Sequence, residues 1–258
     1  MGIFDSGVGG LSVLREFQRM APNERAIYFA DTAYFPYGPR PAAEVRKRSF
    51  AIVNRLLASD VKMVIVACNT ASAAAVEDLR EAFPIPFVGM VPGLKPAART
   101  SKSGRVVILA TSGTLDGELY SRVDTEFGKT ARIRALHRDD LADIVERGAV
   151  GTDESRSALR DALSPEVAAG ADTVVLGCTH FHFLASDILA EFPALSLVDT
   201  SEPVARRAVQ VLSERNESAP PDQEGTLDLI VSGDHERFRA AMRQLGFAPS
   251  ESKVEVAG

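Results

Sequence analysis

The sequence predicts an α/β fold of two pseudo-symmetric lobes, each a mostly parallel sheet flanked by helices, with the functional site between the lobes. Three observations support this prediction. Short apolar runs alternate along the chain with amphipathic stretches of helical length. One strand–cysteine–helix pattern occurs twice. A chain of 258 residues is also long enough to bury two cores.

The elements can be justified in order from the N-terminus. Gly2-Ile3-Phe4 ends a first strand, and the glycine-rich stretch Phe4–Leu11 (FDSGVGGL) leads into a helix. Later apolar runs predict strands at Ala26–Ala30, Val61–Ala67, Phe87–Val91, Val106–Ala110, Arg132–Leu136, Thr173–Gly177, Ser196–Val198 and Leu227–Val231. Amphipathic stretches predict helices at Ala42–Ser59, Ala73–Phe83, Gly117–Phe127, Asp139–Gly148, Glu154–Ala169 and Val204–Glu214. The polar, proline-containing stretch Glu214–Gly225 predicts a loop.

Two segments repeat the same order of elements. In Asp60–Leu79 a hydrophobic run ends in Cys-Asn-Thr-Ala before a helix, and in Ala171–Leu189 a similar run ends in Cys-Thr-His. Each cysteine therefore falls at the carboxyl end of a strand, which is where ligands bind in open α/β sheets. We assign residues 1–92 and 204–258 to the first lobe and residues 93–203 to the second. The chain crosses between them at Pro92-Gly93 and at Thr200–Pro203.

Composition and charge exclude several classes of protein. The net charge is -6 and the pI is near 5.4, and no Lys/Arg run interleaves with aromatic residues. The sequence therefore predicts no nucleic-acid binding and no membrane-surface binding. No apolar stretch approaches the roughly 20 residues of a membrane-spanning helix. Without a secretory signal or a disulfide framework, we expect a reducing, cytoplasmic compartment.

The two cysteines, Cys68 and Cys178, leave several kinds of chemistry open. A buried structural role is common for free cysteine, and a disulfide does not fit the expected compartment. His180 and His182 follow Cys178, but no CxxC or HExxH spacing is present, so we predict no metal site. The remaining possibility is a pair of acid/base groups on opposite faces of one substrate. Such a pair can invert a stereocentre, because one group removes a proton and the other returns one.

A thiolate base needs support, because the pKa of a free cysteine is near 8.5. Both cysteines precede a threonine and a helix-forming stretch, which suits a helix N-terminus. The N–H groups there would also bind a carboxylate. The stretch FDSGVGGL is not a dinucleotide fingerprint, because Ser12 stands at the third glycine position. Its Asp5 is either an acid/base partner or a helix-capping acid, and the pattern alone does not separate the two roles.

Five motifs in order carry a resemblance to a known family. FDSGVGGLSVL, ADTAYFPYG, VACNTAS, LATSGT and GCTH together resemble the glutamate racemases of the aspartate/glutamate racemase family. The similarity runs from Gly2 to at least the VSGDHERF segment. It implies racemisation between L- and D-glutamate with no cofactor, the D-isomer serving peptidoglycan synthesis. It also implies that the protein is a homodimer. The small molecule that it would bind is its substrate, glutamate.

The resemblance also implies roles for individual residues. Cys68 and Cys178 would be the acid/base thiols, and Asp5 and His180 their assisting groups. Asp5 would serve the Cys68 side and His180 the Cys178 side, because each lies in the lobe or segment of its thiol. The residues implied for substrate binding are Ser6, Tyr37, Gly38, Asn69, Thr70, Thr111, Thr114, Thr179 and Glu146.

The sequence departs from the family pattern at two places, and three other functions were considered. GCTHYP is common in the family, whereas Phe181-His182 stands here, and Arg138-Asp139 replaces a frequent Cys-Pro pair. An aspartate racemase usually has C-T-E, so His180 favours glutamate. An idle binding protein would not need both thiols and both assisting groups. A pyridoxal-phosphate racemase would need a lysine in a convincing cofactor site, and none is found.

Overall fold

The strands form two separate parallel sheets in the computed structural model, which describes residues 1–116, 131–247 and, for the backbone alone, 254–256. The helix predicted at Gly117–Phe127 lies outside the described residues. The first sheet has six strands in the order β10-β9-β2-β1-β3-β4. They are β1 (Gly2–Asp5), β2 (Ala26–Ala30), β3 (Val64–Val66), β4 (Phe87–Gly89), β9 (Leu227–Val231) and β10 (Val254–Val256).

The second sheet has four strands in the order β6-β5-β7-β8. They are β5 (Arg105–Ala110), β6 (Arg132–His137), β7 (Thr173–Leu176) and β8 (Ser196–Val198). Every pairing in both sheets is parallel. The predicted fold class is confirmed: an α/β protein with two parallel sheets flanked by helices.

Helices connect the strands, as parallel neighbours require a crossover. Those of the first half are α1 (Leu11–Met20), α2 (Ala42–Leu57), α3 (Asn69–Ala82), α4 (Leu94–Thr100) and α5 (Ser112–Leu115). Those of the second half of the described chain are α6 (Asp139–Glu146), α7 (Asp153–Ala168), α8 (Ala185–Glu191), α9 (Ser201–Glu214) and α10 (His235–Gln244). Short 3-10 helices lie at Thr32–Tyr34 and Thr179–Leu184. No described helix combines the length and the hydropathy needed to cross a bilayer.

The strands β1, β2, β3 and β7 are buried on both faces, and the alternation of their side chains divides the core. Ile3 of β1 packs with the cluster that holds α1 and α9, whereas its neighbour Phe4 packs with α2 and α3 on the other face. The first of these clusters continues without a break into the second sheet through Leu109 and Leu176. The two sheets therefore share one hydrophobic core, which fixes one relative to the other.

The carboxyl ends of four strands carry the polar residues that the sequence singles out. Asp5 ends β1, Cys68 follows β3, Thr111 follows β5, and Cys178 follows β7. β1 and β3 are neighbours in the first sheet, and β5 and β7 are neighbours in the second. Each sheet thus contributes one cysteine at equivalent positions, next to polar residues from an adjacent strand.

Candidate active site

Asp5 is the most enclosed charged residue of the site. Its side chain is fully buried, and its carboxylate accepts hydrogen bonds from Ser6 N at 2.5 Å and Ser6 Oγ at 3.1 Å. The amide of Gly10 and the hydroxyl of Thr179, at 3.2 Å, donate to the other carboxylate oxygen. Burial raises the pKa of the Asp5 carboxyl, while the charge of His180 opposes that rise. Because Thr179 follows a strand of the second sheet and Ser6 and Gly10 follow β1 of the first, segments next to both sheets hold Asp5.

Cys68 is the N-cap of α3. It has extended backbone angles, and its sulfur accepts a hydrogen bond from Ala71 N at 3.5 Å. Burial, followed by the charge of Asp5, raises the pKa of the Cys68 thiol well above its usual range. The cap opposes this rise, but burial outweighs it. Cys68 is therefore a protonated thiol near the carboxyl group of Asp5.

Cys178 has a different neighbour. Its sulfur lies 3.8 Å from Nδ1 of His180, and the other ring nitrogen of His180 lies 2.7 Å from a carboxylate oxygen of Glu146. Burial lowers the pKa of His180, but the hydrogen bonds with Cys178 and Glu146 and the charge of Asp5 outweigh it. The pKa of His180 is therefore well above its usual value. Glu146, His180 and Cys178 form a carboxylate–imidazole–thiol series.

Glu146 also connects segments that follow strands of the two sheets. The oxygen that contacts His180 accepts a hydrogen bond from Val8 N at 2.6 Å, in the glycine-rich loop of the first lobe. A side chain at Gly7 would overlap this carboxylate, and one at Gly9 would overlap the His180 ring. The glycines of FDSGVGGL are thus needed for the close approach of the loop to two residues of the second lobe.

Three threonine hydroxyls, one from α3 and two from the segment that follows β5, form a triangle. Thr70 Oγ1, on α3, lies 2.9 Å from Thr111 Oγ1 and 3.3 Å from Thr114 Oγ1, and those two lie 3.0 Å apart. All three are buried. Each hydroxyl has one hydrogen and two lone pairs, so the triangle can turn its donors toward an anion.

Asn69 has a buried side-chain amide whose polar atoms are not satisfied by the residues that the structure describes. It lies at the start of α3, beside Cys68, and is buried. Neither its amide nitrogen nor its amide oxygen has a hydrogen-bond partner among the described residues. Leaving both groups unsatisfied costs free energy. A ligand with both a donor and an acceptor, such as an α-amino acid, would remove that cost.

Tyr37 and Gly38 lie beside this region, but the hydroxyl of Tyr37 is already engaged. It donates to Asp31 at 2.5 Å, and Asp31 forms an ion pair with Arg48 at 2.6 Å. Burial, and then the charge of Asp31, raise the pKa of Tyr37 far above its usual value. The carbonyl of Gly38 accepts from Gly113 N at 2.9 Å, another contact between the lobes. The hydroxyl of Tyr37 therefore has no hydrogen left to donate to another group, although its oxygen can still accept one.

The structure gathers the predicted residues into two clusters that meet at Asp5. One contains Asp5, Ser6, Cys178, Thr179, His180 and Glu146, and the other contains Cys68, Asn69, Thr70, Thr111, Thr114 and Gly38. Asp31 was not predicted as a site residue, although it directly follows β2 much as Asp5 ends β1. Its position after a strand could have identified it. The backbone amide of Val8 was not predicted either, because a backbone N–H group is common to nearly all residues and leaves no pattern in the sequence.

Both cysteines are free, and neither belongs to a metal cluster in the part of the chain that the structure describes. Within those residues, no group of three or more His, Cys, Asp and Glu side chains is arranged to hold an ion. His182, the second histidine after Cys178, contacts serines instead of the thiol.

Comparison with known proteins places this site in a family. The family model for Asp/Glu/Hydantoin racemases matches residues 8–208, which include both thiols and most of their partners. The chain belongs to the Asp/Glu/Hydantoin racemase family. A glutamate racemase from Deinococcus radiodurans is 44% identical over 248 residues, which cover 95% of this chain and 86% of that relative. The resemblance to the glutamate racemases is confirmed.

Solved structures of the Asp/Glu/Hydantoin racemase family agree with the fold. A glutamate racemase isoform from Bacillus anthracis matches with a TM-score of 0.87 and 31% identity, covering 100% of this chain and 96% of that one. The Escherichia coli glutamate racemase, in complex with L-glutamate and the activator UDP-MurNAc-Ala, matches with a TM-score of 0.86 and 34% identity. That match covers 99% of this chain and 98% of the other.

Proposed function

We propose that this protein racemises glutamate without a cofactor, using Cys68 and Cys178 as paired acid and base. The observation that carries the proposal is the equivalent placement of the two thiols, one after a strand of each sheet, with Asp5 and His180 beside them. A relative with 44% identity over 95% of the chain is a glutamate racemase, which supports glutamate as the substrate.

The charged neighbours of the two thiols favour a neutral thiol at Cys68 and negative charge at Cys178. Burial and Asp5 keep Cys68 protonated, so it is ready to donate. His180, held protonated, lies against the sulfur of Cys178 and can stabilise negative charge there. Cys178 then removes the α-proton of one enantiomer, and Cys68 donates its proton to the opposite face of the carbanion. One turnover exchanges the protonation states of the two thiols, so the enzyme is then ready for the other enantiomer.

Substrate binding can be assigned to the neutral groups between the thiols. Asn69, with both amide atoms unpartnered, is suited to the amino acid head group. The threonine triangle of Thr70, Thr111 and Thr114 and the N-terminal N–H groups of α3 are suited to a carboxylate. We assign Ser6 and Thr179 to the edge of the same pocket, where each already donates to Asp5.

The wider setting follows from the proposed reaction. D-glutamate made by this enzyme would supply peptidoglycan synthesis in the cytoplasm, and the active form would be a homodimer. We also propose that the lobes are residues 1–92 with 204–258 and residues 93–203. The first sheet draws its strands from the first set, and the second sheet draws its strands from the second.

The direct test is to incubate the purified protein with each enantiomer of glutamate and of aspartate, and to follow optical rotation. We expect L- and D-glutamate to interconvert with no added metal or pyridoxal phosphate, and aspartate to react far more slowly. Loss of activity with a chelator, or activity only after addition of a cofactor, would contradict the cofactor-free mechanism. Optical rotation that changes only with aspartate would contradict the substrate assignment.

Glu146→Gln should move the pH dependence in a defined direction. The Glu146 carboxylate helps to raise the pKa of His180, so the neutral amide should lower that pKa. Activity that needs protonated His180 is retained at low pH and lost as the pH rises through the pKa of His180. The alkaline limb of kcat should therefore move to lower pH in the variant. An unchanged alkaline limb would show that Glu146 does not control His180.

A further inference from the structure

His182 stands where the family pattern has a proline, and the proposed reaction does not use it. It lies in the 3-10 helix Thr179–Leu184, two residues after His180, and its side chain is buried. A buried imidazole needs partners to offset its desolvation. The positions of those partners indicate what His182 does.

One nitrogen of His182 contacts two other segments of the chain. Nδ1 lies 3.1 Å from the hydroxyl of Ser12, on α1, and 2.5 Å from the hydroxyl of Ser201, the first residue of α9. A carboxylate oxygen of Asp199 lies 3.6 Å away, just before α9. We call His182, Ser12, Ser201 and Asp199 the His182 latch. It joins the segment that carries Cys178 to the first helix of the other lobe and to the crossing between lobes.

The hydrogen bonds of Ser12 determine which group donates in the contact between Ser12 and His182. Its hydroxyl donates to the carbonyl of Gly9 at 2.9 Å. Because a hydroxyl has one hydrogen, its oxygen then accepts from Nδ1–H of His182. Burial lowers the pKa of His182, although the charge of Asp199 opposes this, so the ring is neutral. Among the described residues, the side-chain hydrogen bonds of the ring are made through Nδ1, and the backbone of Leu176 also opposes the fall in the pKa of His182.

Through Ser12, the His182 latch is connected to Gly9, which lies against His180. Gly9, whose carbonyl Ser12 holds, lies so close to His180 and Asp5 that a side chain there would overlap both. The series His182–Ser12–Gly9 therefore fixes the glycine-rich loop relative to the segment that carries Cys178 and His180. No comparable link runs through this series to Cys68, which is held by α3 and by Asp5.

We propose that His182 is a positioning residue for the Cys178 side of the reaction, holding the Cys178–His180 segment against the Ser12–Gly9 turn. This inference rests on the proposed two-thiol mechanism. Loss of the latch would let His180 and Cys178 shift away from the substrate, so proton transfer at Cys178 would slow. Proton transfer at Cys68 would keep its geometry.

The test compares His182→Leu, His182→Asn and Ser12→Ala with the wild type, using each glutamate enantiomer with hydrogen or deuterium at the α-carbon. Because the equilibrium constant between enantiomers is unity, kcat/KM must fall equally in both directions. A loss of about tenfold corresponds to one hydrogen bond of about 1.4 kcal/mol. The deuterium isotope effect on kcat/KM should rise for the enantiomer whose proton Cys178 removes, and fall for the other. Asn keeps a donor close to Nδ1 and should restore most of the rate.

The controls separate positioning from general damage. His137→Leu changes an exposed histidine at the end of β6 and should leave the rate and both isotope effects unchanged. Ser12→Ala removes a partner without altering the ring, so it tests the latch even where His182→Leu fails to fold. Isotope effects in Ser12→Ala that stay as in the wild type, or that shift equally for both enantiomers, would overturn the inference. A wild type that does not racemise glutamate would instead overturn the proposed function.

Discussion

Replacement of either cysteine by serine is expected to abolish racemisation, with a loss of roughly 10²- to 10⁴-fold or more in rate, the range that one acid/base group contributes. A serine hydroxyl is a far weaker acid than a thiol, so one face of the α-carbon would lack a usable proton carrier. Cys68→Ser should still fold, because serine is a favoured N-cap residue and can cap α3 in place of the sulfur. Racemisation is measured by optical rotation and folding by circular dichroism.

The two variants should differ from each other in which glutamate enantiomer exchanges its α-proton with solvent, whereas two unfolded proteins would show no such difference. Each keeps one thiol and should still exchange the α-proton on the face that this thiol serves. In heavy water, Cys68→Ser and Cys178→Ser should therefore label opposite enantiomers. A serine variant that racemises at a rate close to that of the wild type would remove its thiol from the mechanism. Exchange of the same enantiomer by both variants would contradict the assignment to opposite faces.

Asp5→Asn and His180→Asn are expected to bias the two directions of the reaction in opposite senses. His180 contacts the sulfur of Cys178, and the charge of Asp5 acts on Cys68, so each substitution should weaken one proton-transfer step. We expect kcat to fall roughly 10- to 100-fold, near the lower end of the contribution of an acid/base group. Since kcat/KM must stay equal for the two enantiomers, the bias should appear as compensating changes in kcat and KM.

Steady-state kinetics with each enantiomer would measure this bias. Because Asp5 also accepts a hydrogen bond from Thr179, beside Cys178, its variant should show the smaller asymmetry of the two. Identical effects of both substitutions on every parameter would refute the assignment of Asp5 to Cys68 and of His180 to Cys178.

Hydrophobic patterns predicted many elements because burial on both faces leaves a continuous apolar run. The strands Ala26–Ala30 and Leu227–Val231 have the predicted bounds. The edge strand Ser196–Val198 also has the predicted bounds, although it is only partly buried. The helix predicted to begin at Ala73 begins at Asn69, because the sulfur of Cys68 caps it, a role that residue preferences do not assign to cysteine. The predicted strand Val61–Ala67 is shorter, at Val64–Val66, because pairing with β1 and β4 ends there.

Some helices were not predicted at all. α4 contains Pro96, which is typical of a break, but that proline lies in the first turn, where its missing N–H removes no hydrogen bond. α10 has an apolar face of only three buried residues. By contrast, a helix was predicted after Cys178 within Ala171–Leu189, and α8 follows the 3-10 helix there and extends to Glu191.

The sequence could predict which site residues follow strands, but it could not predict which partners those residues contact. The placement of both thiols after strands followed from the repeated pattern, and the structure adds their different partners. The contact of Glu146 with Val8 N spans 138 residues and depends on how the lobes meet, which no local pattern encodes. The ion pair that engages Tyr37 through Asp31 likewise depends on where α2 places Arg48.

The most direct test of the central claim is a single turnover of the wild type in heavy water, with each enantiomer of glutamate as substrate. If Cys68 and Cys178 serve opposite faces, the product enantiomer should carry solvent deuterium at the α-carbon, while recovered substrate stays largely unlabelled at early times. The thiol that donates has exchanged with solvent, whereas the thiol that removes the substrate proton carries it away. Early label in both enantiomers would show one base serving both faces and would contradict the two-thiol account.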